Sequence, residues 1–476
     1  MTGDLGLNTE LQGMEMNQLE LHKFQHAGID FWLNNPRTYY AIDMGLGKTA
    51  MVLHALTRIK EPALVLAPLT PVYNTWPDEI RKWKIPLKYS IVHGPNKIRA
   101  IQRKDVDIFL TNYETIPFIY DFLEGCVRKK KKFPFSVLVI DEGTKIKSPS
   151  TKRHDYLQAM RSVFPKWRVI LSGTPSPNAL YDLWAQYYIL DDGKSLGPNF
   201  HAFRRKHYEQ YPWDHYGWYI REGADDKIHR AVAPRTFRLD EKDHLKMPPL
   251  QYNYIKLNLP PRLKKQYKKF TEEFVLEVKG IEVAALSQAA LQTKLRQFLQ
   301  GFLYYYDNPD PKAKRKVRKT VDLHKLKLNM LKELVDSTGQ PILCAIQFHH
   351  ELAQIRKVFP GTPAIVGGMQ AREKSKLVRE WNKGKIPLLI CHPASLSHGA
   401  NIQTGGHIIV WYCLPWSLEL HQQFNKRLHR QGQKHGVIIH YLLVRGTIDA
   451  QVAHVLNQKD MTQRKLLDFL RDHTNY

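Results

Sequence analysis

Residues 41–49, Ala-Ile-Asp-Met-Gly-Leu-Gly-Lys-Thr, constrain this chain more than any other stretch. An apolar run over 39–44 leads into them, and residues 49–59 carry apolar side chains at helical spacing. Strand, glycine turn and helix in that order form a phosphate cradle. The free N–H groups of the turn and helix start point at an anion, and the helix dipole favours it. Gly45 and Gly47 let the backbone approach phosphates, Lys48 reaches the β and γ phosphates, and Thr49 is suited to ligate Mg²⁺. Ile42 stands where the full motif has its first glycine, so a chance Gly-x-Gly-Lys-Thr surface turn is the competing reading of these residues alone.

The surrounding chain supplies the fold the cradle needs. Apolar runs at 63–67, 106–110, 135–140 and 169–171 alternate with helical spacing such as Trp76, Ile80 and Trp83. That alternation implies an open, mostly parallel α/β sheet, in which ligands gather beyond the carboxyl ends of the strands. Pro68, Thr70, Asn112 and Tyr113 fall at those ends, as does the pair Asp141-Glu142. Adjacent carboxylates at a buried strand terminus are costly unless a cation is near. Asp141 therefore fits a nucleotide-bound Mg²⁺ and Glu142 a base that activates water, against the bland reading of an acid-rich helix start. Ser172-Gly173-Thr174 suits a contact that moves with a γ-phosphate, although a simple turn has the same composition.

Composition narrows the partner. Hydrophobic residues make up 43% of the 476, ample for two or three globular domains, and 71 Lys and Arg against 45 Asp and Glu give a formal charge of +26. An excess of that size points to an extended polyanion such as nucleic acid rather than to solubility alone. The four cysteines, Cys126, Cys344, Cys391 and Cys413, form no C-x-x-C pair and read as buried small hydrophobes. With no signal-peptide pattern and no run of 18 apolar residues, a soluble, intracellular protein is expected, its compactness favouring a bacterial or viral source.

Further along, residues 191–245 read as an irregular helical insertion in which Trp213, Trp218 and Tyr219 serve packing before base stacking. Stripes through 263–302 predict a helical hairpin, and 307–320 a basic linker, a solvated hinge that also suits phosphates. The α/β alternation restarts at 323, implying a second sheet with strands at 342–348, 364–366, 387–391, 407–411 and 437–443. Residues 395–401, holding Ser395, His398, Gly399 and Asn401, follow the 387–391 strand; neither His398 nor the other scattered histidines have metal-ligand spacing. A helix is predicted over 418–430, with Gln423, Arg427 and Arg430 on one face at spacings of four and three; a solvated basic face is the alternative.

Gln25 within Leu-His-Lys-Phe-Gln-His-Ala-Gly, Asp-Met-Gly-Leu-Gly-Lys-Thr, Asp141-Glu142-Gly143-Thr144-Lys145, Leu-Ser-Gly-Thr-Pro over 171–175, and Gln-Phe-Asn-Lys-Arg-Leu-His-Arg-Gln-Gly-Gln over 423–433 occur in one order. This set resembles the Swi/Snf-type ATPases of helicase superfamily two, over residues 21–456. The resemblance implies an α/β fold of two tandem RecA-like lobes with helical insertions: residues 1–245, with an insertion at 191–234, and residues 246–476, with an insertion and basic linker at 260–322. It implies ATP and Mg²⁺, with Gln25 on the adenine, Gly45, Gly47, Lys48, Thr49 and Asp141 around phosphates and metal, Glu142 as base, and Gly399 and Gln423 lining the nucleotide. Arg427 and Arg430 would reach the γ-phosphate from the second lobe, and Ser172 to Thr174 would couple hydrolysis to lobe movement. Pro68, Thr70, Asn112, Tyr113, Lys145, Ser395 and Asn401 would touch a DNA backbone. The activity implied is ATP-driven movement of a monomer along double-stranded DNA without strand separation, with single-stranded DNA and RNA as weaker partners. A strand-separating helicase and a basic scaffold with an inactive site are the alternatives. The chain departs from the family at Gly143-Thr144 in place of Ala-His, at His398, and at Ile42-Asp43 in place of Asp-Glu.

Overall fold

The computed structural model describes residues 20–212, 214–307, 317–396 and 401–473. Two parallel sheets, each flanked by helices, organise it. The first has seven strands in the order Tyr89–Ile91, Ile108–Asn112, Ala63–Ala67, Val137–Asp141, Arg168–Ser172, Arg37–Ile42 and Thr236–Leu239. The second has six, in the order Leu250–Leu257, Val437–Val444, Ile408–Trp411, Ile342–Ala345, Leu388–Cys391 and Ala364–Ile365. Helices on both faces bury both faces of a parallel sheet, so its inner strands are continuously buried rather than alternating, whereas the edge strand Leu250–Leu257 is mostly exposed. Ala63–Ala67 and Ile342–Ala345 are buried along their whole length. Each sheet has a hydrophobic cluster on either side, and all four cysteines are buried and unpaired.

Strand register brings the candidate loops together. Ala41 lies opposite Ser172, Asp141 opposite Leu171, and Ala67 opposite Asn112. The glycine turn, the acidic pair and the Ser-Gly-Thr turn therefore leave one edge of the sheet side by side, as a doubly wound fold requires of its ligand site.

The insertions differ from expectation in being partly β. Within 191–245 a hairpin pairs Tyr208–Tyr211 with Asp214–Ile220 between the helices Phe200–His207 and Ala224–Val232; Trp213 lies outside the described residues. Trp218 takes a packing role, with the Arg204 guanidinium 4.1 Å from its ring centroid. The helical stripe through Phe270 and Phe274 is also misleading. The helix Pro261–Glu273 stops where Phe274 turns left-handed, and Val275–Val278 then pairs with Ile281–Ala284 around Lys279 and Gly280, both at positive φ. Two residues at positive φ form the tight turn whose twist matches a hairpin. The expected linker is a strand in part: Val317–Asp322 pairs with Phe302–Asp307, while 308–316 lie outside the described residues.

The C-terminal helix Ile448–His473 belongs to both halves. Ile448, Val452 and Leu456 lie in the core of the second sheet, and Leu466, Leu467 and Leu470 in that of the first. Between them Lys459 Nζ donates to Asn178 Oδ1 at 3.3 Å and to the Trp416 carbonyl at 3.0 Å. This helix ties the two lobes beside the polypeptide crossing at 240–249, with which it lines a common cavity.

At the opposite edge of the first sheet Arg168 is buried. Its guanidinium donates to the carbonyls of Phe164, Ile189 and Arg161 at 2.8–2.9 Å and pairs with Asp192 Oδ1 at 2.9 Å. Asp192 also binds Arg37 at 2.6 Å and Arg161 at 3.1 Å. Truncating Arg168 takes the side-chain donor from the buried Phe164 and Ile189 carbonyls and from Arg161, whose carbonyl keeps the Phe164 N–H at 3.1 Å. R168A is expected to lose about 3–5 kcal/mol of first-lobe stability, read as a lower denaturant midpoint.

Candidate functional site

The glycine turn adopts the cradle conformation. Gly45 and Gly47 have φ of 90° and 78°, and the helix Lys48–Ile59 starts directly after them. A Cβ on Gly47 would fall 2.2 Å from Gln25 Nε2, so the turn needs glycine there and Gln25 lies against it. Gln25 is buried; its Nε2 donates to the Leu46 carbonyl at 3.3 Å and its Oε1 accepts from the His22 N–H at 2.9 Å. A side-chain amide fixed in this way has the rigidity a base-reading group needs. Lys48 Nζ bends back to the carbonyls of Ile42 at 2.8 Å and Asp43 at 3.4 Å. Burial pulls the Lys48 ammonium down, against the opposing charges of Glu142, Asp141 and Asp43.

The acidic pair is held by two neighbouring side chains. Trp76 Nε1 donates to Asp141 Oδ2 at 3.1 Å, orienting the carboxylate from a neighbouring helix. The Tyr113 hydroxyl donates to the carbonyls of Asp141 at 2.6 Å and Glu142 at 3.2 Å. Glu142 takes φ 68°, a left-handed conformation that is strained for a side chain of its size. Burial raises its carboxyl, Lys48 opposes the rise and Glu419 adds to it. Gly143 is explained by packing: a Cβ there would meet Ile170 Cγ2 at 2.5 Å and Gln186 Oε1 at 2.7 Å. Gln186 accepts from the Tyr39 hydroxyl at 2.7 Å and donates to the Pro175 carbonyl at 2.8 Å. It thus links the acidic turn to the 172–175 turn, where the Thr174 N–H donates to Ser172 Oγ at 3.1 Å.

The second lobe adds cations. The helix holding Gln423 runs only over Leu418–Asn425, so the expected helix to 430 is overturned beyond that point. Asn425 is committed elsewhere, its Oδ1 accepting from Trp411 Nε1 at 2.9 Å, and the chain turns at Lys426. Arg427 and Arg430 therefore project from turns, which His429 fastens by donating to the Pro248 carbonyl at 3.0 Å. Arg427 is buried, and desolvation, with Arg430 close by, pulls its guanidinium down to about 10 despite Glu142. Among the described residues the ion pairs of this turn belong to Lys426, and none engages Arg427 or Arg430. Buried cations without carboxylate partners are costly and suit an anionic ligand. Lys48 from one lobe and Arg427 from the other both lie within electrostatic reach of Glu142.

This set fits a nucleoside triphosphate with Mg²⁺. The ion keeps most of its waters and binds through one or two side chains and phosphates, which Thr49 and Asp141 can supply. A cavity of about 590 Å³ lies behind the Leu418–Asn425 helix, walled by Asp43, Thr174, Tyr252, His421 and Asp460. It separates the lobes there.

The residues expected on a DNA backbone are not equally placed for it. Pro68 and Thr70 are half-buried around the short helix Leu69–Tyr73, Ser395 is half-buried and Asn401 exposed. Asn112 and Tyr113 are buried and face inward: Asn112 Nδ2 donates to Glu114 Oε2 at 2.7 Å, and Tyr113 braces the acidic pair. Lys145 reaches across the cleft to Glu419 Oε1 at 3.5 Å. Gly399 and His398 lie outside the described residues. Trp76, Gln186, Glu419 and Lys426 join the site without having been singled out from sequence. Of these, only the aromatic stripe containing Trp76 gave any signal.

Comparison with known proteins adds the context. A family model described as SNF2-related domain matches residues 34–304, and one described as Helicase conserved C-terminal domain matches residues 326–432. The putative protein p41 of Acyrthosiphon pisum secondary endosymbiont phage 1 is 32% identical over 473 residues, covering 94% of this chain and 98% of its own. The putative ATP-dependent helicase/translocase YwqA of Bacillus subtilis is 24% identical over 90% of this chain, which spans 46% of that protein. The chain likewise spans 34% of the Arabidopsis thaliana CHD3-type chromatin-remodeling factor PICKLE, at 26% identity over 95% of its own length. The Sulfolobus solfataricus SWI2/SNF2 ATPase core in complex with dsDNA aligns over 97% of each chain, at 21% identity and a TM-score of 0.42.

Proposed function

The chain belongs to the SNF2-related family, as a DNA-dependent ATPase of helicase superfamily two, and from that premise we propose that it is a translocase driven by ATP along duplex DNA. The observation that carries the proposal is that Lys48 of the first lobe and Arg427 of the second, a buried cation with no ion pair among the described residues, both lie within electrostatic reach of Glu142. A site divided between lobes ties each catalytic cycle to their relative position.

In this reading Lys48 and the N–H groups of the glycine turn hold the β and γ phosphates, and Thr49 and Asp141 hold Mg²⁺. An ion held there would supply positive charge to offset the charge that develops on the phosphates. Glu142 takes a proton from the attacking water, and Arg427, supported by Arg430, stabilises charge on the γ-phosphoryl oxygens. The arginines act only while the lobes are together, so binding favours closure and product release favours opening. Gln186 and the 172–175 turn connect the acidic pair with the elements that move.

Surface residues of both lobes, with Pro68, Thr70, Ser395 and Asn401 in the expected set, grip phosphates, which leaves sequence unread. The charge of +26 supports such a grip, and affinity is expected to fall linearly with salt on logarithmic axes. Among the described residues no helix is long and apolar enough to cross a membrane. ATP turnover measured without nucleic acid and with single-stranded DNA, duplex DNA or RNA tests the proposal. Duplex DNA is expected to stimulate most, and turnover indifferent to duplex DNA would overturn it.

A further inference from the structure

The helix Leu418–Asn425 meets the first lobe at both ends through charges of opposite sign. At its start Glu419, held by Gln423 Nε2 at 3.3 Å, pairs with Lys145 at 3.5 Å. Past its end Lys426 Nζ lies 3.0 Å from Glu241 Oε2 and 4.0 Å from Asp43 Oδ2. An acid at the start of a helix and a base at its end agree with its dipole, so the helix carries an internal polarity. The first lobe presents the opposite polarity. Only one orientation of the helix satisfies both contacts, and Arg427 is the next residue after the second.

The Lys426 contact is the better built. Asp43 is fixed by Arg238 Nη1 at 2.9 Å and by the Glu241 N–H at 3.2 Å, and Asp43 immediately precedes the glycine turn. Its carboxyl is pushed up by burial but held down to about 2 by Lys426 and Arg238. Lys426, Asp43 and Glu241 side chains are 23%, 12% and 12% exposed, so solvent screens them less than a surface pair. Arg427 has no ion pair of its own to fix it among the described residues, which leaves its neighbour to do so.

We propose that Lys426 is a positioning residue: by binding Glu241 and Asp43 across the cleft it seats Arg427 at the phosphates and registers the second lobe on the glycine turn. The inference rests on the ATPase reading above and adds the contact that sets the register. Placement errors near 1 Å cost about 10²-fold in rate. K426E is accordingly expected to lower kcat for duplex-stimulated ATP turnover by about 10²-fold, with KM for ATP within about threefold of wild type because the first-lobe phosphate contacts persist.

The test is a charge swap. E241K alone should also lower kcat, since it removes the carboxylate that pairs with Lys426 and sets a like charge against it, while the backbone N–H that holds Asp43 stays in place. The double variant K426E/E241K should regain at least about tenfold over K426E, while K426R keeps most of the wild-type rate. A merely structural loss would not be repaired by a second reversal. A double variant no more active than K426E, or a K426E protein with wild-type kcat, overturns the inference. If the wild type turns over ATP with duplex DNA and the swap fails, only this inference falls. If the wild type shows no such turnover, the ATPase reading falls and takes it along.

Discussion

Replacing Arg427 by alanine is expected to lower duplex-stimulated ATP turnover by about 10³-fold or more while leaving ATP affinity near wild type. The magnitude follows from what an arginine does in phosphoryl transfer: it meets charge that grows on the transferring group and contributes little to the ground state. Burial strengthens the effect, because Arg427 lies where little water screens it and desolvation already pulls its guanidinium down to about 10. Loss of kcat at constant nucleotide affinity separates this role from a grip on the substrate. Stopped-flow binding of a fluorescent ATP analogue beside steady-state turnover makes the separation. A variant with equal losses in affinity and rate would assign Arg427 to binding instead.

The second large effect belongs to Glu142. E142Q keeps the size of the side chain and removes the base, so turnover should fall by about 10²- to 10⁴-fold while ATP still binds. The backbone supports the assignment. Glu142 sits at φ 68°, and strain of that kind persists only where surrounding contacts over-determine it. Those contacts are the Tyr113 hydroxyl on its carbonyl and the Gly143 packing against Gln186. Retained nucleotide with retained turnover in E142Q would move the base elsewhere.

Chemistry carried by adjacent residues was legible in the sequence. The strand, glycine turn and helix around Lys48 announce themselves because four or five consecutive residues do the work, and the apolar run over 135–140 fixes Asp141-Glu142 at a strand end by simple periodicity. Two parallel sheets were legible for the same reason, since most of their strands are short apolar runs that alternate with helices. Contacts between distant residues were not. Trp76 on Asp141, Gln186 on Gly143 and Lys426 on Glu241 depend on how strands are ordered, and no local spacing encodes that order. Tyr113 shows a subtler limit: its place at a strand end was legible, but its side chain turns inward to the Asp141 carbonyl.

Periodicity also misled where elements were short. Phe270 and Phe274 keep helical spacing across a helix end, and the four-residue strands after them are too brief to display alternation. Gln423, Arg427 and Arg430 obey spacings of four and three although the helix ends at Asn425. The spacing that predicts one helical face is met as well by a turn, which keeps Arg427 and Arg430 close to each other.

The central claim, movement along duplex DNA powered by a site shared between lobes, is tested most directly by ATP-dependent displacement of a triplex-forming strand from an intact duplex. The account predicts displacement by the wild-type protein, none by K48A, and no separation of the duplex strands in the same reaction. Triplex displacement absent from a protein that hydrolyses ATP on duplex DNA, or release of single strands from the duplex itself, would contradict it.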